Sequence, residues 1–410
     1  MSNQHAEKCR GMFSVWRHSL FAGLCAYLLT CVPVFFGVLV GFEVVRPGRE
    51  IPYGEDSLLL RFAAWDGGQF MQILDTGYQY VPDRISNIVV FPGYPAMARV
   101  LQWSTGLSSA ASLLFVSHLC LVAAMVVFHR FVRLRFDSPQ IADTSLAVMA
   151  LLPTTFFWRM AYSEAPFVLI EVLFLYGMHQ KWGCRWLAIL VGLSTAFRLV
   201  GVAMLVPLAM EYLSREPFSI RRLLKGSLLL PVSVAGLIAF MVYQANLFGD
   251  PFVFIHGQAA FCLRTPVSAS EHWYRLVTLE PLWGNYLAAS DAFWKRHSPT
   301  PIALLNLQFW NPVYFCLTAA CLFYGWFQRV LSDSESALGA GLLLIPYLGR
   351  AEEFCMGSQS RYASVVVPAI MVLGYFMSRR ASACKAGIAA ISGALLAVYS
   401  ALFSAWYFFL

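Results

Sequence analysis

Apolar residues in this chain fall into long runs divided by short polar breaks. The first run, 19–41, holds no charged residue, and neither does the second, 107–129. Further runs lie at 141–158, 165–180, 186–197, 199–213, 227–247, 301–327, 337–349, 362–378 and 386–409. Several approach the roughly 20 residues that a membrane-spanning helix needs. A membrane barrel would show short segments of strict alternation instead. Open sheets cannot sit in lipid, where unpaired backbone groups find no water. The pattern therefore predicts an all-α polytopic membrane protein of eleven spans, a single domain over 1–410.

Two polar stretches interrupt the runs, 42–106 and 248–300. The first ends in an apolar patch, Ile88 to Trp103, broken by Pro92 and Pro95. Proline removes a backbone donor and clashes with the preceding turn. The patch is therefore read as a surface-lying or re-entrant element, not a twelfth span.

Charge sets the orientation. Lys8, Arg10 and Arg17 precede the first run, which puts the N-terminus in the cytoplasm. No small-residue cleavage site follows, so the segment reads as a start-inside anchor. In the resulting topology Lys and Arg outnumber Asp and Glu by 16 to 7 inside and are outnumbered 13 to 15 outside. Both long loops and the C-terminus then lie outside. Only 12% of the chain is charged, against about 25% in soluble domains. The net charge of +7 is spread over many short loops rather than one patch, which excludes nucleic acid as a partner.

The ten cysteines show no paired metal spacing. Cys25, Cys31, Cys120, Cys316 and Cys321 fall in apolar runs and read as small core residues. Cys262 and Cys355 share a side, which leaves a disulfide open. No N-x-S/T acceptor occurs, which favours a bacterial plasma membrane over the endoplasmic reticulum of a eukaryote. No internal repeat supports an inverted-repeat transporter.

The unusual polar residues gather on the outer side. Trp65 and Asp66 lie in the first loop. Arg159, Tyr162, Ser163 and Glu164 form a short outer turn, and Arg198 forms another. Asp250 and His256 open the second long loop, and Arg361 and Tyr362 lead into the tenth span. Ionisable groups at membrane depth are costly and mark function by default. Arginine holds phosphate oxygens bidentately, and a carboxylate beside an incoming hydroxyl can act as general base. Structural readings stand beside these. Ser163 and Glu164 could cap the fourth span, Arg198 and Arg361 could snorkel to headgroups, Phe-Gly-Asp-Pro around Asp250 is a turn signal, and His256 sits among aromatics.

WDGGQFMQILDTGY, followed by VVFPGYP, resembles the Trp-Asp…Gly-Tyr…Phe-Phe-Pro-x-x-Pro signature of the GPI second-mannose transferase family and its bacterial relatives, within the GT-C superfamily of polytopic glycosyltransferases. LLPTTFFWRMAYSEAPF, LSTAFRLVGVAMLVPL, LFGDPFVFIHGQ and SQSRYASVVVP are similar to its later segments in the same order. The likeness covers about residues 60–375. Val89 to Pro92 departs from the family's Ala-Phe-Phe-Pro, and Arg198-Leu199-Val200-Gly201 lacks its proline.

The resemblance implies a GT-C-like domain. It implies a polyprenyl- or dolichyl-phosphate mannose donor, a lipid, glycan or protein acceptor, inverting transfer on the extracytoplasmic or lumenal face, and the aspartate of the Trp-Asp pair, Asp66, as the catalytic residue, the general base toward the acceptor hydroxyl. Together with the residue chemistry it gives Arg198 and Arg361 the donor phosphate and Tyr162 and Glu164 the sugar hydroxyls. Trp65, Asp250, His256 and Tyr362 complete the expected substrate set. No resident cofactor is expected, and a divalent metal stays open. The rival readings are a transporter or lipid flippase and a non-catalytic assembly subunit.

Overall fold

The computed structural model describes residues 2–49, 56–215, 219–297 and 302–407. The remaining parts of the expected loops and the last residues of the eleventh span lie outside the described residues.

Helices account for the described architecture, and no strand occurs among them. In chain order the main ones are α1 (Ser2–Glu43), α2 (Asp66–Thr76), α3 (Gly93–Thr105), α4 (Ser109–Phe136), α5 (Pro139–Leu151), α6 (Glu164–His179), α7 (Cys184–Phe197), α8 (Leu205–Ser214) and α9 (Ile220–Ser227). They continue with α10 (Ala235–Phe248), α11 (Ala269–Val277), α12 (Leu307–Phe327), α13 (Asp333–Arg350), α14 (Gln359–Ser364), α15 (Val367–Ser378) and α16 (Ser382–Ser404). Among the described residues three helical stretches are long and apolar enough to cross a membrane: Trp16–Glu43, α4 and α16. Two bent pairs would raise the number to five.

Local chemistry explains where the helices stop. Ser108 accepts from Ala111 N at 3.3 Å to cap α4, and Arg133 and Arg135 in its last turn suit the negative end of the helix dipole. Ser138 caps α5 and Pro139 fills its first position, where a missing N–H costs nothing. The expected straight span 141–158 is instead bent by 75° after Leu151. Pro153 is the cause: it disfavours the helical conformation at Leu152, and the chain continues as the 3-10 stretch Pro153–Arg159. The expected span 227–247 is likewise bent, by 51°, between Ile220–Ser233 and α10. The Ile88–Trp103 patch forms no single long helix: Asn87–Val89 is a 3-10 turn, and the 13-residue α3 packs on α4 with Tyr94 fully buried. Tyr94 Oη donates to the Leu113 carbonyl at 2.8 Å.

α4 is the central helix, packed by α1, α5 and α6. α1 and α16 approach most closely through small residues. A Cβ at Gly41 would overlap Ser404 Oγ and the Ala401 carbonyl, and one at Gly37 would overlap the Ala397 carbonyl. Small residues let helix backbones pack where lipid tails supply no hydrophobic drive. Gly41→Ala is therefore expected to force the pair apart and cost about 1–3 kcal/mol, read as a lowered unfolding temperature of the purified protein in detergent.

Cys262 and Cys355 are both free, so the disulfide left open by their shared side is not formed. Burial of Cys355 and its place in a tight turn keep it for packing instead.

Candidate active site

Asp66 is the first residue of α2, and the backbone ahead of it is unusual. Trp65 has φ 60° and ψ −120°, a conformation that a bulky side chain rarely adopts. The surroundings impose it. Trp65 Nε1 donates to the Phe403 carbonyl at 3.3 Å, its ring lies 5.5 Å from Trp406, and Arg49 sits 4.5 Å above it. Gly67 follows, packed close to Ala63: a Cβ there would stand 3.3 Å from the Ala63 Cβ. Strained backbone fixed this firmly is a common property of functional sites.

The polar residues converge on that turn from three other segments. Arg361 Nη1 donates to Asp66 Oδ2 at 2.6 Å, and its Nε donates to Glu164 Oε1. Arg198 Nη1 donates to the same Glu164 oxygen at 2.5 Å. Asp66 N donates to Tyr162 Oη at 3.2 Å, and the Arg361 guanidinium lies 4.6 Å from the Tyr162 ring. Arg198 lies over Tyr362 at 5.5 Å. Two acids and two arginines thus form one neutral chain, Asp66–Arg361–Glu164–Arg198. Glu164 is fully buried, whereas the Asp66 side chain is 31% exposed. Oδ1 of Asp66 makes no hydrogen bond among the described residues, nor do Nε and Nη2 of Arg198 or Nη2 of Arg361. The chain therefore has an unused carboxylate oxygen at its Asp66 end and unused guanidinium donors at its Arg198 end.

Arg361 is aimed from both sides. The turn before α14 holds Cys355, Met356 and Ser358 at positive φ, so the chain enters the helix at a fixed angle. Ser360 N donates to Asn311 Oδ1 of α12 at 2.9 Å. Farther out, Arg264 pairs with Glu280 at 2.8 Å and Arg275 with the buried Glu352 at 2.8 Å, which pins the second loop to the same turn. On the inner side Glu171 Oε1 accepts from Val367 N at 3.2 Å, two turns along α6 from Glu164. One helix therefore holds Arg361 through Glu164 and the start of the next helix through Glu171.

Electrostatics follow from burial and charge. Glu164 ends the outer turn ahead of the expected span 165–180. Burial works against its charge, but Arg198 and Arg361 more than offset it and hold the carboxyl below its ordinary value. A depressed carboxyl stabilises the fold above the ordinary value, and that contribution is lost as pH falls through the lowered one. The gap in unfolding temperature between wild type and Glu164→Gln is accordingly expected to hold steady from neutral pH down to the ordinary carboxyl value and to shrink only below it.

Some expected residues lie elsewhere. Asp250 Oδ1 accepts from Phe252 N at 2.8 Å, and its Oδ2 meets His256 Nδ1 at 2.9 Å. That closes an Asx turn at the start of the second loop, and no hydrogen bond or ion pair joins either residue to the Asp66 chain. Arg159 is fully buried and donates to the Thr155 carbonyl at 3.2 Å and to Thr30 Oγ1 of α1, so it ties the 3-10 stretch to the bundle. Ser163 makes no capping bond, and Glu164 bonds arginines instead of acting as a cap. Arg198 and Arg361 do not reach for headgroups; each side chain is 11% exposed. Arg49, Phe403 and Trp406 were not legible as site residues, because the chain gives no spacing that links them to Trp65. Among the described residues one trio is close enough to share a metal ion, His18, His129 and Asp143. It joins α1, α4 and α5 and excludes every residue of the Asp66 chain.

No family model and no curated protein matches the chain. Solved structures similar to it include the following two. One is ArnT from Cupriavidus metallidurans bound to undecaprenyl phosphate, with 13% identity and a TM-score of 0.47, covering 90% of this chain and 62% of that one. The other is an Archaeoglobus fulgidus oligosaccharyltransferase tethered with an acceptor peptide, with 13% identity and a TM-score of 0.42, covering 94% of this chain and 55% of that one. The chain spans less than two thirds of the length of either.

Proposed function

We propose that the protein is an integral membrane glycosyltransferase that moves mannose from a polyprenyl- or dolichyl-phosphate donor to a hydroxyl of an extracytoplasmic or lumenal lipid, glycan or protein, with inversion. The observation that carries this reading is the ion-pair chain itself, in which a half-open Asp66 carboxylate is held by Arg361 while Arg361 shares Glu164 with a second arginine, Arg198. The donor enters from the bilayer, and its phosphate takes the unused Nε and Nη2 of Arg198 and Nη2 of Arg361. Arg361 Nη1 keeps Asp66 Oδ2 in place, and Oδ1 accepts the proton of the acceptor hydroxyl. The acceptor oxygen bonds to the anomeric carbon while the bond from that carbon to the phosphate oxygen breaks. The leaving lipid phosphate gains negative charge, which fixed guanidinium groups stabilise without reorganising. A monophosphate leaving group handled in this way places little demand on a divalent ion.

Tyr162 and Glu164 are buried beneath this surface, so we assign them to holding Asp66 and Arg361 rather than to a sealed contact with sugar. Trp65, beside Asp66, and Tyr362, under Arg198, are left to contact the substrate. Asp250 and His256 form a half-open pair on the second loop, which leaves them for the acceptor side. A single displacement fixes the stereochemistry. The test is the anomeric configuration of the product made from a donor of known configuration: inversion is expected, and retention would remove the one-step mechanism.

A further inference from the structure

At the far end of α6 from Glu164, about 24 Å away for sixteen residues of helix, the chain is basic. Lys181 and Arg215 both reach Glu211 Oε1 at 3.1 Å, and Arg215 also donates to the Trp182 carbonyl at 2.6 Å. Beside them lies a cavity of about 370 Å³ lined by Tyr212, Arg215, Ser219, Arg221, Arg222 and Lys225, together with Cys184. No acidic side chain lines it among the described residues. Arg222 is built into its wall: it is 7% exposed, donates to the Leu213 carbonyl at 3.2 Å and to the Tyr212 carbonyl, and lies over the Tyr212 ring. Ser219 Oγ accepts from Arg222 N at 3.2 Å and keeps its own proton to donate. Arg221 and Lys225 make no ion pair or hydrogen bond with the described residues.

The helix that carries these groups has a second face. Ile220, Leu224 and Leu228, spaced by four, are 73%, 64% and 72% exposed. A basic helix with an apolar stripe lies in the plane of a membrane surface, with the stripe toward the acyl chains. Ile220–Ser233, which begins with α9, is bent by 51° from α10, so the two need not share one direction across a bilayer. The cavity thus has exposed cations on one side and exposed apolar side chains on the other, the pairing that a site at headgroup level requires.

We propose that this cavity binds the phosphate of an anionic lipid headgroup, with Arg221 and Lys225 as its cations and the Ser219 hydroxyl as a neutral donor. Soluble phosphate shares that chemistry, but it has no use for the exposed stripe. Such a site would anchor the end of the bundle opposite Asp66 in the anionic leaflet, independently of the proposed transfer reaction.

The test uses the full chain purified in neutral detergent, with phosphatidylglycerol or phosphatidylcholine added in mixed micelles and retained lipid counted by native mass spectrometry. Wild type is expected to retain phosphatidylglycerol selectively. Arg221→Gln/Lys225→Gln is expected to bind it on the order of 30-fold more weakly, the loss for two charges at a membrane surface. Arg379→Gln/Arg380→Gln, which removes two cations expected on the same side, is expected to bind as wild type does. Both double variants replace exposed side chains, and an unchanged unfolding temperature verifies their folds. Equal losses in the two double variants would reduce the effect to diffuse attraction and overturn the site. Competition by soluble glycerol phosphate as effective as that by phosphatidylglycerol would overturn its assignment to a lipid.

Discussion

An Asp66→Asn variant is expected to fold as wild type does and to transfer sugar about 10²–10⁴-fold more slowly, the range over which a positioned general base contributes. The amide is isosteric, and its oxygen still accepts from Arg361 Nη1, which now holds Oδ2 at 2.6 Å. The turn at Trp65 does not depend on the carboxylate, because Trp65 is held by Phe403 and Trp406. What disappears is the oxygen that can take a proton. The loss should therefore fall on kcat, with KM for the lipid donor nearly unchanged, because Asp66 makes no contact with the donor phosphate in the proposed complex. A purely structural aspartate would give the opposite pattern, a lowered unfolding temperature with kcat intact.

Arg361→Met is expected to act on both stability and rate. It removes the one residue that bridges Asp66 and Glu164. Breaking a buried ion pair by deleting one partner costs about 3–5 kcal/mol, since the remaining charge has lost both water and partner. Arg198 still reaches Glu164 at 2.5 Å, which places the expected cost toward the lower end of that range. Transfer should fall below detection, because the donor phosphate loses a cation and Asp66 loses its orientation. Arg361→Lys keeps the charge but cannot span two carboxylates with a planar fork. It is expected to recover part of the stability and little of the rate. Adding Glu164→Gln to Arg361→Met should cost less than the two single changes summed, because both act on one network. Chemical unfolding of the four proteins in detergent measures this.

Much of the site was legible in the sequence because it rests on charged residues at the ends of apolar runs. Lipid makes such residues conspicuous, so Asp66, Glu164, Arg198 and Arg361 stand out from distant segments, and the structure joins all four. Tyr162 and Tyr362 follow from their neighbours in the chain. Asp250 and His256 carry equally conspicuous chemistry but bond each other, since an Asp after a glycine in Phe-Gly-Asp-Pro satisfies its own turn first. Hydrophobic runs located the helices but not their bends. The 75° turn after Leu151 depends on a single proline inside an otherwise continuous run. The support under Trp65 was invisible for a different reason. Its partners, Phe403 and Trp406, lie some 340 positions away at the end of α16, where aromatic residues are expected in any case as an interfacial belt. The pairing among the charges was equally out of reach: composition shows two acids and two arginines, but only the fold shows that Glu164 occupies both arginines.

The most direct test of the central claim is transfer by the purified protein in liposomes supplied with radiolabelled polyprenyl-phosphate mannose and a membrane extract as acceptor. Label should pass to an acceptor with release of polyprenyl phosphate in wild type, and Asp66→Asn should leave the donor intact. Movement of the intact donor across the bilayer without transfer, or transfer by Asp66→Asn at the wild-type rate, would contradict the account.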